Sequence, residues 1–255
     1  MNGRPGKHSG FTLLELLICV VIVAVLALVV FQGARSARTR ANQATSATNL
    51  RSLVLANQGY VADHGTYCPA REARNRVRWH GARAGGKDKF DPAKGFLSEY
   101  FGKSDRVGLC PEFRDHIGGG DSFENGSGGY GYNAIYIGGT PSDPFKPARP
   151  SGIPNPERTL MFATTALAKG RGIQEYPFAE PMRSVTPEGN LDLPMQPSVH
   201  FRFGGKALIA WCDGRVSEER MNGLDGENYY GGSNKESSVG WCGPEDRNGW
   251  WNPKW

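Results

Sequence analysis

The sequence predicts an α+β chain: one long amino-terminal helix whose first half crosses a membrane, followed by a loop-rich head built on a small antiparallel sheet. Three observations carry this. An apolar run extends from Phe11 to Phe31 with a single charge, Glu15. Apolar residues then recur at three- and four-residue spacing, without proline, to about His64. Beyond that point glycine and proline are dense (35 and 17 over the whole chain), and the apolar stretches are short and bounded by turn residues.

At about 1.5 Å per residue, a helix from Phe11 to Phe31 covers roughly the 30 Å of a bilayer's hydrocarbon core. Glu15 is the exception within it, because a carboxylate in hydrocarbon costs at least about 2.5 kcal/mol. Either it reaches the interface from its place near the helix start, or it is kept for a function. The residues around it favour function: a basic leader (Arg4, Lys7, His8), a small residue at Gly10, Phe11 next, and Glu15 four positions on.

That combination resembles the class III signal of type IV prepilins and type II secretion pseudopilins. The resemblance implies that prepilin peptidase cuts between Gly10 and Phe11, that Phe11 becomes the methylated mature terminus, and that the apolar helix is kept. An ordinary secretory signal would be cut after its apolar region and lose it. It also implies a pilin-like fold and a structural role in a type IV pilus-like or type II secretion-like filament. The partners would be copies of itself, other pilins or pseudopilins, and the bacterial inner membrane, with the head in the periplasm or at the cell surface. In a filament, Glu15 of one subunit can neutralise the terminal ammonium of its neighbour, pairing two groups that are each costly in an apolar core.

The domain reading follows: a leader over 1–10, a helix over 11–64 with 11–31 in the membrane, and a head over 65–255. In the second half of the helix, Ala37, Ala41, Ala44, Ala47, Leu50, Leu53, Val54 and Val61 fall near one stripe that would pack on the sheet. Gly65 and Pro69 end it. Arg35, Arg38 and Arg40 follow the apolar run and outnumber the leader's Arg4 and Lys7, so the positive-inside count opposes the orientation that the leader implies. The leader pattern is the more specific signal.

In the head, residues 70–95 carry Arg71, Arg74, Arg76, Arg78, Arg83, Lys87 and Lys89, with Trp79 and His80 among them. Such a loop is either a solvated surface or a grip on an anionic polymer, DNA or an acidic polysaccharide. The formal charge of +5, of which Arg4 and Lys7 supply two, is too mild to argue for nucleic acid alone. Arg158 to Thr164 reads as a buried strand. Val199 to Phe203, a Gly204-Gly205 turn and Ala207 onward read as a hairpin, with a second turn at Asp213-Gly214. The tail, with Trp241, Trp250, Trp251 and Trp255, reads as an aromatic loop.

Several segments of the helix and head also resemble bacterial pseudopilin-like proteins that carry a carboxy-terminal H-x9-DG element: Asn49 to Leu53 with Tyr60, Gly65 to Pro69, Gly108 to Pro111, Tyr130 to Asn133, and Asn248 to Pro253. Here twelve residues rather than nine separate His200 from Asp213.

No G-x-S-x-G, H-E-x-x-H, phosphate-binding loop or C-x-x-C occurs, so the sequence offers no assembled catalytic site. The four head cysteines, Cys68, Cys110, Cys212 and Cys242, suit an oxidising compartment. Pairing nearest neighbours gives Cys68 with Cys110 and Cys212 with Cys242, and buried free thiols are the alternative. By resemblance to pseudopilins that hold calcium in a carboxy-terminal loop, Asp213, Asp225, Glu227 and Asn228 are candidate oxygen ligands, against an ordinary role in turns. The rival to a filament subunit is a single-pass anchored binding module for polysaccharide or DNA.

Overall fold

The computed structural model describes residues 13–104, 108–114, 124–170, 172–222, 228 and 230–255. The chain divides into two compact units, one ending at Ala41 and one spanning Asn42–Trp255. The first contains the start of helix α1 (Leu13–His64), which continues through Gly33 without a break.

In the second unit α1 buries Ser46, Leu50, Leu53, Val54, Ala56 and Asn57. The expected stripe is buried from Leu50 to Val54, whereas Ala44 is exposed and Ala47 and Val61 are half-buried. Burial on the head therefore begins at Ser46, and two polar residues share the buried line. The helix stops at Gly65, whose φ of 71° is a conformation glycine adopts without penalty and whose N–H donates to the Val61 carbonyl at 2.8 Å.

The central sheet is antiparallel and four-stranded: β1 (Tyr130–Tyr132), β2 (Leu160–Thr164), β3 (Lys206–Trp211) and β4 (Val216–Arg220), in spatial order β4-β3-β2-β1. Tyr132 lies opposite Phe162, Ala163 opposite Ile209, and Leu208 opposite Glu218. Alternation along β3 serves both faces of this sheet. Leu208 and Ala210 join the core that contains Leu50, Leu53 and Val54 of the helix, whereas Ala207, Ile209 and Trp211 join a second core with Trp241 and Trp251.

The second core shows that the aromatic tail is irregular but packed. The irregular segment Asp246–Trp251, in which Arg247 and Asn248 take positive φ, brings Trp251 to full burial, with its indole donating to the Ala179 carbonyl at 2.9 Å. Asn133, also fully buried, donates to the carbonyls of Leu160 and Trp251 and so ties the tail to the sheet.

The Gly204-Gly205 turn forms, with φ of 61° and 80° and two hydrogen bonds between Phe203 and Lys206. These angles match the hairpin turn in which both central residues need positive φ. The strand before it is short, however: Val199–His200 pairs with Val239–Gly240 of the tail, not with β3. The turn at Asp213-Gly214 joins β3 to β4 as expected.

Candidate functional site

Among the described residues, α1 is the one helix long and apolar enough to cross a membrane. Among the described residues its apolar run lies open: Leu13 is 87% exposed and Phe31 70%, with every large apolar residue between them also exposed. An apolar surface of this extent demands lipid or other helices. Glu15 stands exposed in the first turn, where a negative charge also suits the positive end of the helix dipole. Gly10 and Phe11 lie outside the described residues.

The second unit grips α1 through buried polar groups that hydrophobic periodicity does not reveal. Asn57 is fully buried; its amide donates to the Tyr132 hydroxyl at 2.9 Å, and its carbonyl oxygen accepts from the Cys68 N–H at 2.8 Å. The Tyr132 hydroxyl donates in turn to the Cys68 carbonyl at 3.1 Å, closing a circuit of three residues. Further along, Asn49 donates to the Gly108 carbonyl and the Tyr130 hydroxyl, and Asn42 donates to Glu112. Asn49 belongs to the segment that resembles pseudopilin-like proteins; for Asn57 the sequence gives no signal beyond its place on the helix.

Glu175 does comparable work in the glycine-rich loop. One of its carboxylate oxygens accepts from the backbone N–H groups of Gly126, Ser127 and Gly128, at 2.7, 2.8 and 3.2 Å. Three amides around one anion fix a loop whose glycines take positive φ.

The basic loop does not present the surface expected of it. Arg78, Trp79 and His80 are buried, and Arg78 forms a two-bonded ion pair with Glu124, 46 positions later. Arg83 shares that glutamate at 3.8 Å, and both guanidinium groups lie over the Phe90 ring. The centre of the proposed polymer grip is thus interior structure, while Arg74, Arg76, Lys87 and Lys89 remain exposed.

The disulfide expectation is corrected: Cys68, Cys110, Cys212 and Cys242 are all buried free thiols. Cys68 is held at Asn57, whereas the Cys110 sulfur lies 3.2 Å from the Ser46 hydroxyl. Those two contacts are three helical turns apart, roughly 16 Å, well beyond what a disulfide spans. Cys212 belongs to the helix-side core and Cys242 to the second core, with the sheet between them. Burial pushes the thiols of Cys68, Cys212 and Cys242 up, away from the reactive thiolate.

Of the calcium candidates, Asp225 and Glu227 lie outside the described residues. Asp213 accepts from the Arg215 N–H within its own turn, and Asn228 is buried between the Ala168 carbonyl and the Tyr230 N–H. Among the described residues no group of three or more His, Cys, Asp or Glu is placed to hold a metal ion. His200 is buried, with its carbonyl accepting from Thr164 and its ring edge-on to Phe113.

Comparison with known proteins adds one match: residues 6–31 fit the family model of the prokaryotic N-terminal methylation motif. Curated proteins and solved structures yield no match. The motif supports a prepilin-type signal at this amino terminus, of the kind that prepilin peptidase processes, and a structural, pilin-like protein rather than an enzyme.

Proposed function

We propose that the chain is a structural subunit of a type IV pilus-like or type II secretion-like filament. Prepilin peptidase cuts after Gly10, the inner membrane holds the subunit by the helix from Phe11 to Phe31, and assembly transfers that helix from lipid into a bundle of its own kind. The observation that carries this reading is the exposed apolar surface of α1 with Glu15 in its first turn, under the methylation motif. In the bundle, Glu15 meets the ammonium of a neighbour's Phe11, and the head faces the periplasm or the cell surface.

The test is to shear surface filaments from cells expressing an epitope-tagged chain and to sequence the amino terminus of the recovered subunit. A mature terminus at Phe11 in the filament fraction is expected. Recovery only from the membrane fraction sinks the filament assignment, and a terminus at Met1 or beyond Phe31 sinks the processing.

A further inference from the structure

Two buried glutamates lie five residues apart in the head, and they are used differently. Glu175 is saturated by backbone amides and holds a loop. Glu180, 9% exposed, receives a single side-chain hydrogen bond among the described residues, from the Tyr176 hydroxyl at 2.8 Å. Burial raises its carboxyl above the usual carboxylate range, against the lowering effects of Tyr176 and of the Arg71 charge. A carboxylate kept at this cost without satisfying backbone donors needs another reason.

Its main chain is fixed on both sides. The Glu180 N–H donates to the Ser198 hydroxyl at 2.9 Å, and its carbonyl accepts from the Trp241 indole at 3.2 Å. The preceding Ala179 N–H donates to Tyr132 on β1. The backbone that carries the acid is therefore anchored beside the sheet, and the Tyr176 hydroxyl positions its carboxylate, as a preorganised binding group requires.

Glu180 and Tyr176 line a cleft of about 390 Å³, near the small end of the range for ligand sites. Its walls are apolar, with Ile135, Pro144, Phe178 and Met195 among them, and Thr140, Ser142 and Arg71 also line it. The Arg71 guanidinium extends over the Phe145 ring, which is 40% exposed. One acid and one base in a cleft make no net demand for a charged ligand. What they suit is a molecule that donates to a carboxylate, accepts from a guanidinium and lays C–H faces on apolar walls.

We propose that the cleft floored by Glu180 and lined by Arg71 binds a neutral sugar residue of a polysaccharide. Ring hydroxyls donate to Glu180 and accept from Arg71 and the Ser142 hydroxyl, while the C–H face packs on Phe178. The site is independent of the filament reading, since an anchored monomer would carry it equally.

The test uses the processed full-length chain in lauryldimethylamine oxide micelles, a detergent without a sugar headgroup. Saturation-transfer NMR and calorimetry are run with cellotetraose, chitotetraose and xylotetraose, and with charged controls, a tetragalacturonate and a chitosan tetramer. At least one neutral tetrasaccharide should bind saturably with a Kd below about 1 mM, and Glu180→Ala should weaken it at least tenfold. Ser142→Trp, at an exposed position lining the cleft, should block binding with the near-ultraviolet circular dichroism unchanged. That second variant decides the matter if Glu180→Ala does not fold. No binding of any neutral tetrasaccharide, tighter binding of a charged one, or binding that survives the folded variants within tenfold overturns the proposal.

Discussion

Asn57 on the long helix and Tyr132 on the first strand of the central sheet meet at 2.9 Å, and through the main chain of Cys68 they form a closed circuit of hydrogen bonds. The circuit joins helix, sheet and the turn that leaves the helix, inside an otherwise apolar core. Asn57→Leu keeps approximate volume but strands the Cys68 N–H. Leaving a buried donor unsatisfied costs about 1–3 kcal/mol. We expect a loss of that size in urea unfolding of the micelle-bound chain, followed by tryptophan fluorescence. Tyr132→Phe should cost a similar amount, and the double variant clearly less than the sum, because both break one circuit. Additive losses would argue against a shared network.

Glu15→Val is expected to leave membrane insertion intact, since it removes the only charged side chain from the apolar run between Phe11 and Phe31. The same change should reduce the subunit in sheared filaments at least tenfold, because the pairing with a neighbour's terminus exists only between subunits. Equal incorporation of variant and parent would remove the ion-pair argument.

How much of this was legible in the sequence differs by element. Continuous apolarity and one acid marked α1, and β2 showed as the run Leu160–Thr164, because burial of a whole segment writes itself into composition. The polar interior did not show. Asn57, Asn133 and Glu175 look like surface residues until their partners arrive from 75, 118 and 49 positions away. Arg78 looks like a surface residue for the same reason, its Glu124 being distant in sequence. The tail's burial did not show either, because tryptophans in irregular backbone carry it rather than a periodic strand. Nearest-neighbour pairing of cysteines failed because a four-stranded sheet lies between Cys212 and Cys242.

The thiols give a direct check of that correction. With Cys19, exposed on the membrane helix, replaced by alanine, the folded chain prepared without reductant should take up no maleimide-polyethylene glycol over minutes. After denaturation it should take up four equivalents, one for each of Cys68, Cys110, Cys212 and Cys242. Two or fewer on denaturation would mean that disulfides form in the exported protein.

His80 sets an acid limit on stability. It is 1% exposed, between Phe90 and Trp79, and among the described residues neither ring nitrogen has a hydrogen-bond partner. Burial first, then the Arg78 and Arg83 charges, lower its pKa from 6.5 to about 3. Glu124, which pairs with both arginines, does not restore it. The sign follows from linkage. Below pH 6.5 the unfolded chain takes up a proton on this histidine, and the folded chain does not until about pH 3. The stability associated with the neutral ring is therefore fully present above pH 6.5 and is lost progressively on the way down, at about 1.4 kcal/mol per pH unit where only the unfolded state is protonated. His80→Leu removes the titration. Thermal melts of parent and variant between pH 7.5 and pH 4, followed by near-ultraviolet circular dichroism, should show the parent losing Tm relative to the variant as pH falls. Parallel curves would mean that the ring reaches solvent or gains a proton in the folded state.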